Sequence, residues 1–318
     1  MRALVTGGAG FIGSRLAAYL ADHGHAVVIV DAITPYYEQA QKRANLAPLL
    51  HRPGVRVVEV DLASADLDPL LAGVDVVFHQ AAQPGVRRSW DDFEGYAQAN
   101  ITVTQRLLDA VLRSGGVQRV VYASSSSVYG NGAQGGSSET DRPQPFSPYG
   151  VTKLAAEHLC RAYADNFGLP TVSLRYFTVY GPGQRPDMAF HRLIEAARHG
   201  TPFPLYGDGR QVRDFTYVGD VVAANLAAVA AEPPPGTVAN VAGGSVTTMR
   251  EVIELVGELT GHPVLVEARP TQAGDVRATR AQTHLASQVL GWKPRTDLRT
   301  GVAKQVAWHA DRAAVSYA

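Results

Sequence analysis

Along its first 180 or so positions the chain alternates short apolar runs with longer stretches whose apolar residues recur at helical spacing. Ala3-Leu-Val5, Ala26–Val30, Val55–Val60, Val74–Phe78, Val120–Ala123 and Val172–Phe177 read as strands. Their brevity, β-branched content and near-continuous apolar character favour parallel strands buried on both faces. Phe11–His23, Ile101–Ser114 and Tyr149–Asn166 lie between them and have the length and periodicity of helices. Strand and helix in alternation predict βαβ units with right-handed crossovers, hence an α/β fold with a doubly wound parallel sheet.

Past residue 178 the rhythm changes. Prolines gather at Pro182, Pro186, Pro202, Pro204 and Pro233–Pro235, and strand signals become isolated. Helices are predicted at Met188–His199, Val218–Ala231 and Met249–Thr260, the last capped by Thr247 or Thr248. This part reads as a smaller, mixed α/β domain interleaved with the last pieces of the large sheet. The expected division is 1–177 with 212–243 for the large domain, and 178–211 with 244–318 for the small one. A length of 318 residues, 46% of them hydrophobic, is enough for two such cores.

Charge and composition narrow the setting. The 29 basic and 29 acidic side chains cancel, which argues against a nucleic-acid binder relying on a basic field. No apolar run approaches the ~18 residues that suggest a membrane span, and Arg2–Thr6 leads straight into a glycine-rich turn, so neither membrane span nor signal peptide is expected and the location predicted is cytoplasmic. The single cysteine, Cys160, excludes an internal disulfide framework and any multi-cysteine metal site, and no metal is expected. Lysine occurs only at 42, 153, 293 and 304, so a lysine at a chemically suggestive spacing carries weight.

Thr6-Gly-Gly-Ala-Gly-Phe-Ile-Gly13 follows the first strand and opens a helix, with Gly8, Gly10 and Gly13 at G-x-G-x-x-G spacing. Glycine permits the tight turn and lets a pyrophosphate approach the N–H groups of a helix N-terminus. Gly7, Gly10, Phe11, Ile12 and Gly13 are therefore candidate cofactor contacts. Asp31 ends the second strand, where a carboxylate accepts hydrogen bonds from an adenosine ribose, and no arginine follows within eleven residues to welcome a 2′-phosphate. The expectation is a Rossmann-type sheet binding NAD rather than NADP. Asp61 and Leu62, after the third strand, would flank the adenine; Gln80, Ala81 and Ala82, after the fourth, suit close passage of the cofactor. His79 beside them reads as a core histidine rather than a base.

Tyr149-Gly-Val-Thr-Lys153 opens a predicted helix and puts a phenol and an ammonium one turn apart on one face. A cation near the phenol, with a positive nicotinamide, would lower its ordinary pKa near 10 and make Tyr149 a general base. Four serines, Ser124–Ser127, end the fifth strand, where a doubly wound sheet presents its ligands.

With the glycine turn, the serine-ended strand and the Tyr149/Lys153 pair in place, the chain resembles the extended short-chain dehydrogenase/reductase family, and within it the nucleotide-sugar 4-epimerases, dehydratases and decarboxylases. Arg175-Tyr-Phe-Thr-Val-Tyr-Gly181, Gly207–Val218 and Gly274-Asp275 extend the likeness along the whole chain. The resemblance implies Ser125 as the catalytic hydroxyl, Lys42, Asn100, Ala123, Tyr176 and Val179 near the cofactor, Arg213 on a diphosphate, and Tyr206 near a uracil with Gln211 and Asp275 close by. It also implies a homodimer built on the helices Phe93–Ser114 and Tyr149–Asn166.

Members of this group oxidise a sugar at C4, with Tyr149 taking the hydroxyl proton as hydride moves to NAD. Dehydratases and decarboxylases typically carry an acid just after the strand hydroxyl; here those positions are Ser126 and Ser127. The sequence thus favours return of the hydride to the other face of the 4-keto sugar. The segments Asp31–Tyr37 with Lys42-Arg43, Ala81–Ser89 (with Gly85, Val86 and Arg87) and Phe177–Met188 are similar to UDP-glucuronate 4-epimerases. A 4-keto uronic acid loses CO₂ readily, so its carboxylate must be pinned; Ser126, Ser127, Thr178 and Arg185 could hold it. The expected partner is a UDP-sugar. A UDP-glucose or UDP-N-acetylglucosamine 4-epimerase, a UDP-glucuronate decarboxylase and a non-catalytic NAD-binding regulator are the competing expectations, the last opposed by the intact Ser125, Tyr149 and Lys153.

Overall fold

In the computed structural model, residues 1–132, 135–272 and 274–316 are described. The strands are β1 (Arg2–Thr6), β2 (Ala26–Asp31), β3 (Val55–Glu59), β4 (Val76–His79), β5 (Arg119–Ser125), β6 (Thr171–Tyr176), β7 (Val179–Tyr180), β8 (Phe203–Tyr206), β9 (Val212–Tyr217), β10 (Thr237–Val241), β11 (Ser245–Thr248), β12 (Val266–Arg269) and β13 (Ala278–Thr279). The helices are α1 (Phe11–Asp22), α2 (Gln39–Leu46), α3 (Asp68–Leu71), α4 (Phe93–Ala97), α5 (Val103–Ser114), α6 (Pro148–Phe167), α7 (Ala189–His199), α8 (Val218–Ala230), α9 (Met249–Thr260), α10 (His284–Leu290) and α11 (Leu298–Ser316).

Seven strands form one sheet in the order β10-β6-β5-β4-β1-β2-β3, all of its pairings parallel. The chain reverses direction across the sheet between β1 and β4, and the crevice outside the strand ends at such a switch point is where ligands bind in these folds. One apolar layer (Ala3, Val5, Leu16, Leu20, Ile29, Val121, Leu174, Val221) fills one face. The other face is covered by Leu4, Val28, Val77, Leu107, Val111, Tyr122 and Cys160, so the strands are apolar throughout because both faces are buried.

The small domain has its own core, where Tyr180, Phe190, Leu193, Phe203, Phe215 and Val252 meet. Here the expected boundary is corrected. The stretch 212–243 divides: β9 pairs with β7, β11 and β13 in the smaller sheet, while α8 packs on the large sheet and β10 becomes its edge strand. Thr248 caps α9 with a full capping box to Glu251. α4 and α5 run together through a π-helical turn at Gln98–Thr102, which breaks regular spacing around Asn100. Among the described residues no helix is long and apolar enough to cross a membrane.

Candidate active site

A cleft of about 390 Å³ opens at the carboxyl ends of β1, β2, β4, β5 and β6. Gly7, Gly10, Phe11, Ile12, Gly13, Asp31, Lys42, Asp61, Leu62, Gln80, Ala81, Ala82, Ala123, Tyr149, Lys153, Tyr176 and Arg185 all line it. The glycines are explained by contact. Gly7 has φ of +66°, and a Cβ there would lie 2.7 Å from the Ala81 nitrogen; a Cβ on Gly13 would collide with the Gly7 carbonyl. Gly10 is the N-cap of α1 and offers no capping side chain, so the first-turn N–H groups are left for a ligand.

The far end of the cleft is shaped by Asp31. Its carboxylate accepts from the Ala9 N–H (3.0 Å) and the Ile33 N–H (2.8 Å), and Lys42 Nζ stands 4.0 Å away while donating to Thr34 Oγ1 at 3.1 Å. Ile33 holds φ at +47°, a left-handed conformation rare for a β-branched residue, stabilised by this bond and by Gln39 donating to its carbonyl. An open helix N-terminus, a backbone cradle that any Cβ would fill and a strand-end carboxylate together fit the pyrophosphate and ribose of a dinucleotide.

Asp61 also receives the Ala63 N–H at 2.9 Å, so it builds the local turn while lining the cleft. Tyr176 meets Gln80 and Asn225 through its hydroxyl at 2.8–3.3 Å. Asn100 lies outside the cleft wall: it accepts from the Gln83 N–H (2.7 Å) and donates to the Gln83 carbonyl and Thr152 Oγ1, fastening the loop after β4 from behind. Val179 is likewise buried in β7 and does not face the cleft. His79 is fully satisfied by Thr6 and Thr104, and burial pushes it down to about 3, so it is neutral core.

Ser125, at the end of β5, acts on the Tyr149 phenol to lower it and accepts the Ser127 N–H at 3.1 Å. Ser126 and Ser127 form the short turn that follows. Ser124 donates to Glu157 at 2.6 Å. Glu157 in turn binds Arg175 through two bonds of 2.5 and 3.0 Å, and Arg175 reaches the Tyr129 hydroxyl at 2.6 Å. Sequence reading missed this buried network; Glu157, four residues after Lys153 on the same helix, was its available signal.

The expected electrostatics of the Tyr149/Lys153 pair need correction. Burial raises the Tyr149 phenol above its usual range, and the groups that pull it back are Ser125 and Arg185. Lys153 is itself held down to about 7 by burial, its Nζ 4.5 Å from the Tyr122 ring centre. The cation that lowers the phenol is Arg185. Arg185 is gripped by Asp187 at 2.9 and 3.0 Å and lies 5.9 Å from the Tyr36 ring. Tyr36 and Tyr37 line the cleft although sequence reading assigned them no role. Tyr36 fills the space above Gly85, a glycine with φ of +104°.

The remaining candidates are not in the wall of this cleft, and several of them contact one another. Arg87 pairs with Asp275 at 3.1 Å and stacks 3.9 Å from the Tyr206 ring; Gln211 donates to the Tyr206 carbonyl. Arg213 donates to the carbonyls of Val212 and Val276, both at 2.8 Å, which leaves its positive charge unneutralised by those partners. Val86 packs over Gly274. Thr178 sits in the link between β6 and β7 and pairs through its carbonyl with Thr216.

Comparison with known proteins follows the same lines. The NAD dependent epimerase/dehydratase family model matches residues 3–242. An uncharacterized UDP-glucose epimerase, YtcB of Bacillus subtilis (strain 168), is 43% identical over 310 residues, covering 97% of this chain and 98% of that protein. The crystal structure of UDP-glucuronic acid 4-epimerase from Bacillus cereus, in complex with UDP-glucuronic acid and NAD, superposes with a TM-score of 0.94 at 39% identity, covering 98% of this chain and all of the other. MoeE5, solved with NAD and either UDP-glucuronic acid or UDP-glucose, gives a TM-score of 0.89 at 45% identity, with 98% and 100% coverage.

Proposed function

This chain belongs to the NAD dependent epimerase/dehydratase family, and on that premise we propose that it is a UDP-glucuronic acid 4-epimerase, interconverting UDP-glucuronate and UDP-galacturonate. NAD, when bound, supplies the acceptor that takes up and returns the hydrogen of the sugar's C4. The glycine turn and the N-terminus of α1 hold its pyrophosphate, and Asp31 its ribose. Tyr149 removes the C4 hydroxyl proton, with Ser125 and Arg185 both favouring the phenolate. Lys153, packed on Tyr122, fixes the floor beneath them. Arg213, with Arg87, meets the diphosphate, and Tyr206 the uracil.

The observation that carries the reading is the cation Arg185 in the same cleft wall as Tyr149, with hydroxyls rather than a carboxylate at positions 126 and 127. That set can pin a uronate carboxylate and offers no acid for elimination or carbon–carbon cleavage. A second reading, with UDP-glucose also accepted, is supported by MoeE5 having been solved with either sugar nucleotide. We propose further a cytoplasmic homodimer, supported by the exposed Phe93, Val151 and Phe167 on α4 and α6; sedimentation equilibrium tests the assembly. Incubation with UDP-glucuronate and no added cofactor, followed by proton NMR, tests the activity. UDP-galacturonate is the expected product; a UDP-pentose, or turnover of UDP-glucose alone, overturns the assignment.

A further inference from the structure

The loop Gly181–Asp187 carries Arg185 from β7 into α7, and its backbone is captured along its length by buried side chains of distant elements. Gln184, itself fully buried, donates from Nε2 to the Val179 carbonyl at 3.0 Å and accepts at Oε1 from the His191 N–H (2.9 Å) and from Gln305 Nε2 (3.0 Å). Gln305, on α11, also accepts the Gly181 N–H at 2.8 Å. From the opposite side Gln41, on α2, donates to the carbonyls of Gly183 and Gln184 at 3.4 and 3.2 Å. Arg15, on α1, donates to the Pro182 carbonyl at 3.2 Å.

None of these amides reaches the cleft wall, yet those of Gln41 and Gln305 end on Gly181, Gly183 and Gln184, in the four residues before Arg185. Buried amide groups must have partners, so the loop settles where all of them are met at once. Asp187, after the arginine, then fixes its guanidinium edge. We propose that Gln41 and Gln305 are positioning residues that set the placement of Arg185 and thereby the discrimination between a uronate and a neutral hexose. The inference rests on the reading of Arg185 as the carboxylate's partner, and it assigns a role in specificity to two glutamines, on α2 and α11, that do not line the cleft.

The test is substrate discrimination in the full-length protein with its bound cofactor. Gln305→Met and Gln41→Met keep an unbranched side chain of similar length and remove only the amide. Binding of UDP-glucuronate and of UDP-glucose is measured by calorimetry for each variant and for Arg185→Met. A charged hydrogen bond misplaced at the carboxylate weakens UDP-glucuronate about 5- to 10-fold, with UDP-glucose held within about twofold. Loss of discrimination in Arg185→Met but not in the two glutamine variants overturns the positioning role and leaves the parent reading intact. Equal weakening of both ligands in the glutamine variants also overturns it, because that is what general loosening of the fold produces. Unchanged discrimination in Arg185→Met overturns the parent reading instead. Should Gln305→Met fail to fold, Gln41→Met, at the other end of the loop, decides alone.

Discussion

Tyr149→Phe removes one oxygen from a ring that stays otherwise in place. The ring's packing, edge-on to Tyr96 with centroids 6.3 Å apart, does not depend on that oxygen. The hydroxyl's structural contribution is its interaction with Ser125, worth no more than about 1 kcal/mol between neutral groups. Folding stability should therefore fall by no more than about 1 kcal/mol. A general base contributes about 10²- to 10⁴-fold, equivalent to roughly 3–5 kcal/mol of barrier, so kcat should fall far more than stability does. Epimerisation is followed by chromatography of quenched samples, with urea unfolding and cofactor content measured on the same preparations. A kcat within about tenfold of the parent, at equal cofactor content, refutes the base assignment. The pH profile supplies the sign. The phenol is protonated near neutrality because burial raises it, so kcat/KM should climb as pH increases. Arg185→Met removes a cation that lowers the phenol, so the limb moves to higher pH; movement to lower pH contradicts the electrostatic account.

Three further outcomes are expected. Glu157→Gln strands the Arg175 guanidinium, both side chains being only 4% exposed, and should cost about 3–5 kcal/mol in urea unfolding; a loss below about 1 kcal/mol would mean that the neutral amide serves Arg175 equally well. Burial pushes His79 down to about 3 in the folded chain against the ordinary 6.5 of an unfolded chain, so below the latter value the unfolded chain binds the extra proton. Its share of stability is complete above that range and is lost as pH falls toward 3, at up to about 1.4 kcal/mol per pH unit, and His79→Asn should flatten that slope. Gly13→Ala drives a methyl into the Gly7 carbonyl. Cofactor retention during gel filtration should weaken by about tenfold or more, and full retention would mean that the cradle tolerates the shift.

The fold was legible where one interaction dominates. Strands buried on both faces must be apolar along their whole length, and each of the six strands read from the first 180 residues is present in the large sheet. Thr248 and Glu251 spell out the start of α9 within four residues. The boundary at 212 failed for a physical reason. Val212–Tyr217 reads Val-Arg-Asp-Phe-Thr-Tyr, and a strand of that mixed character does not say which sheet it joins; pairing with β7, β11 and β13 decides it, from partners far apart in the chain. α2 is short and polar, and its stabilising contacts lie in Asn45 to the Ala9 carbonyl, in Lys42 beside Asp31 and in Gln41, none of which a periodicity reveals.

The site divides in the same way. The glycine turn and its strand-end aspartate declare themselves through local backbone demands, and the Tyr149/Lys153 spacing through helix geometry. Proximity, though, fixes only that two groups can meet, not the field they share. At Tyr149 the helix guarantees a nearby lysine, yet burial lowers that lysine to about 7 and lifts the phenol. The compensating charge comes from a residue 36 positions later, on a loop whose place depends on α1, α2 and α11. Delocalised guanidinium resists the deprotonation that burial imposes on an ammonium, which is why an arginine rather than a second lysine can hold full charge there. The tuning of the base is thus a tertiary property of the folded chain, whereas its identity is a local one.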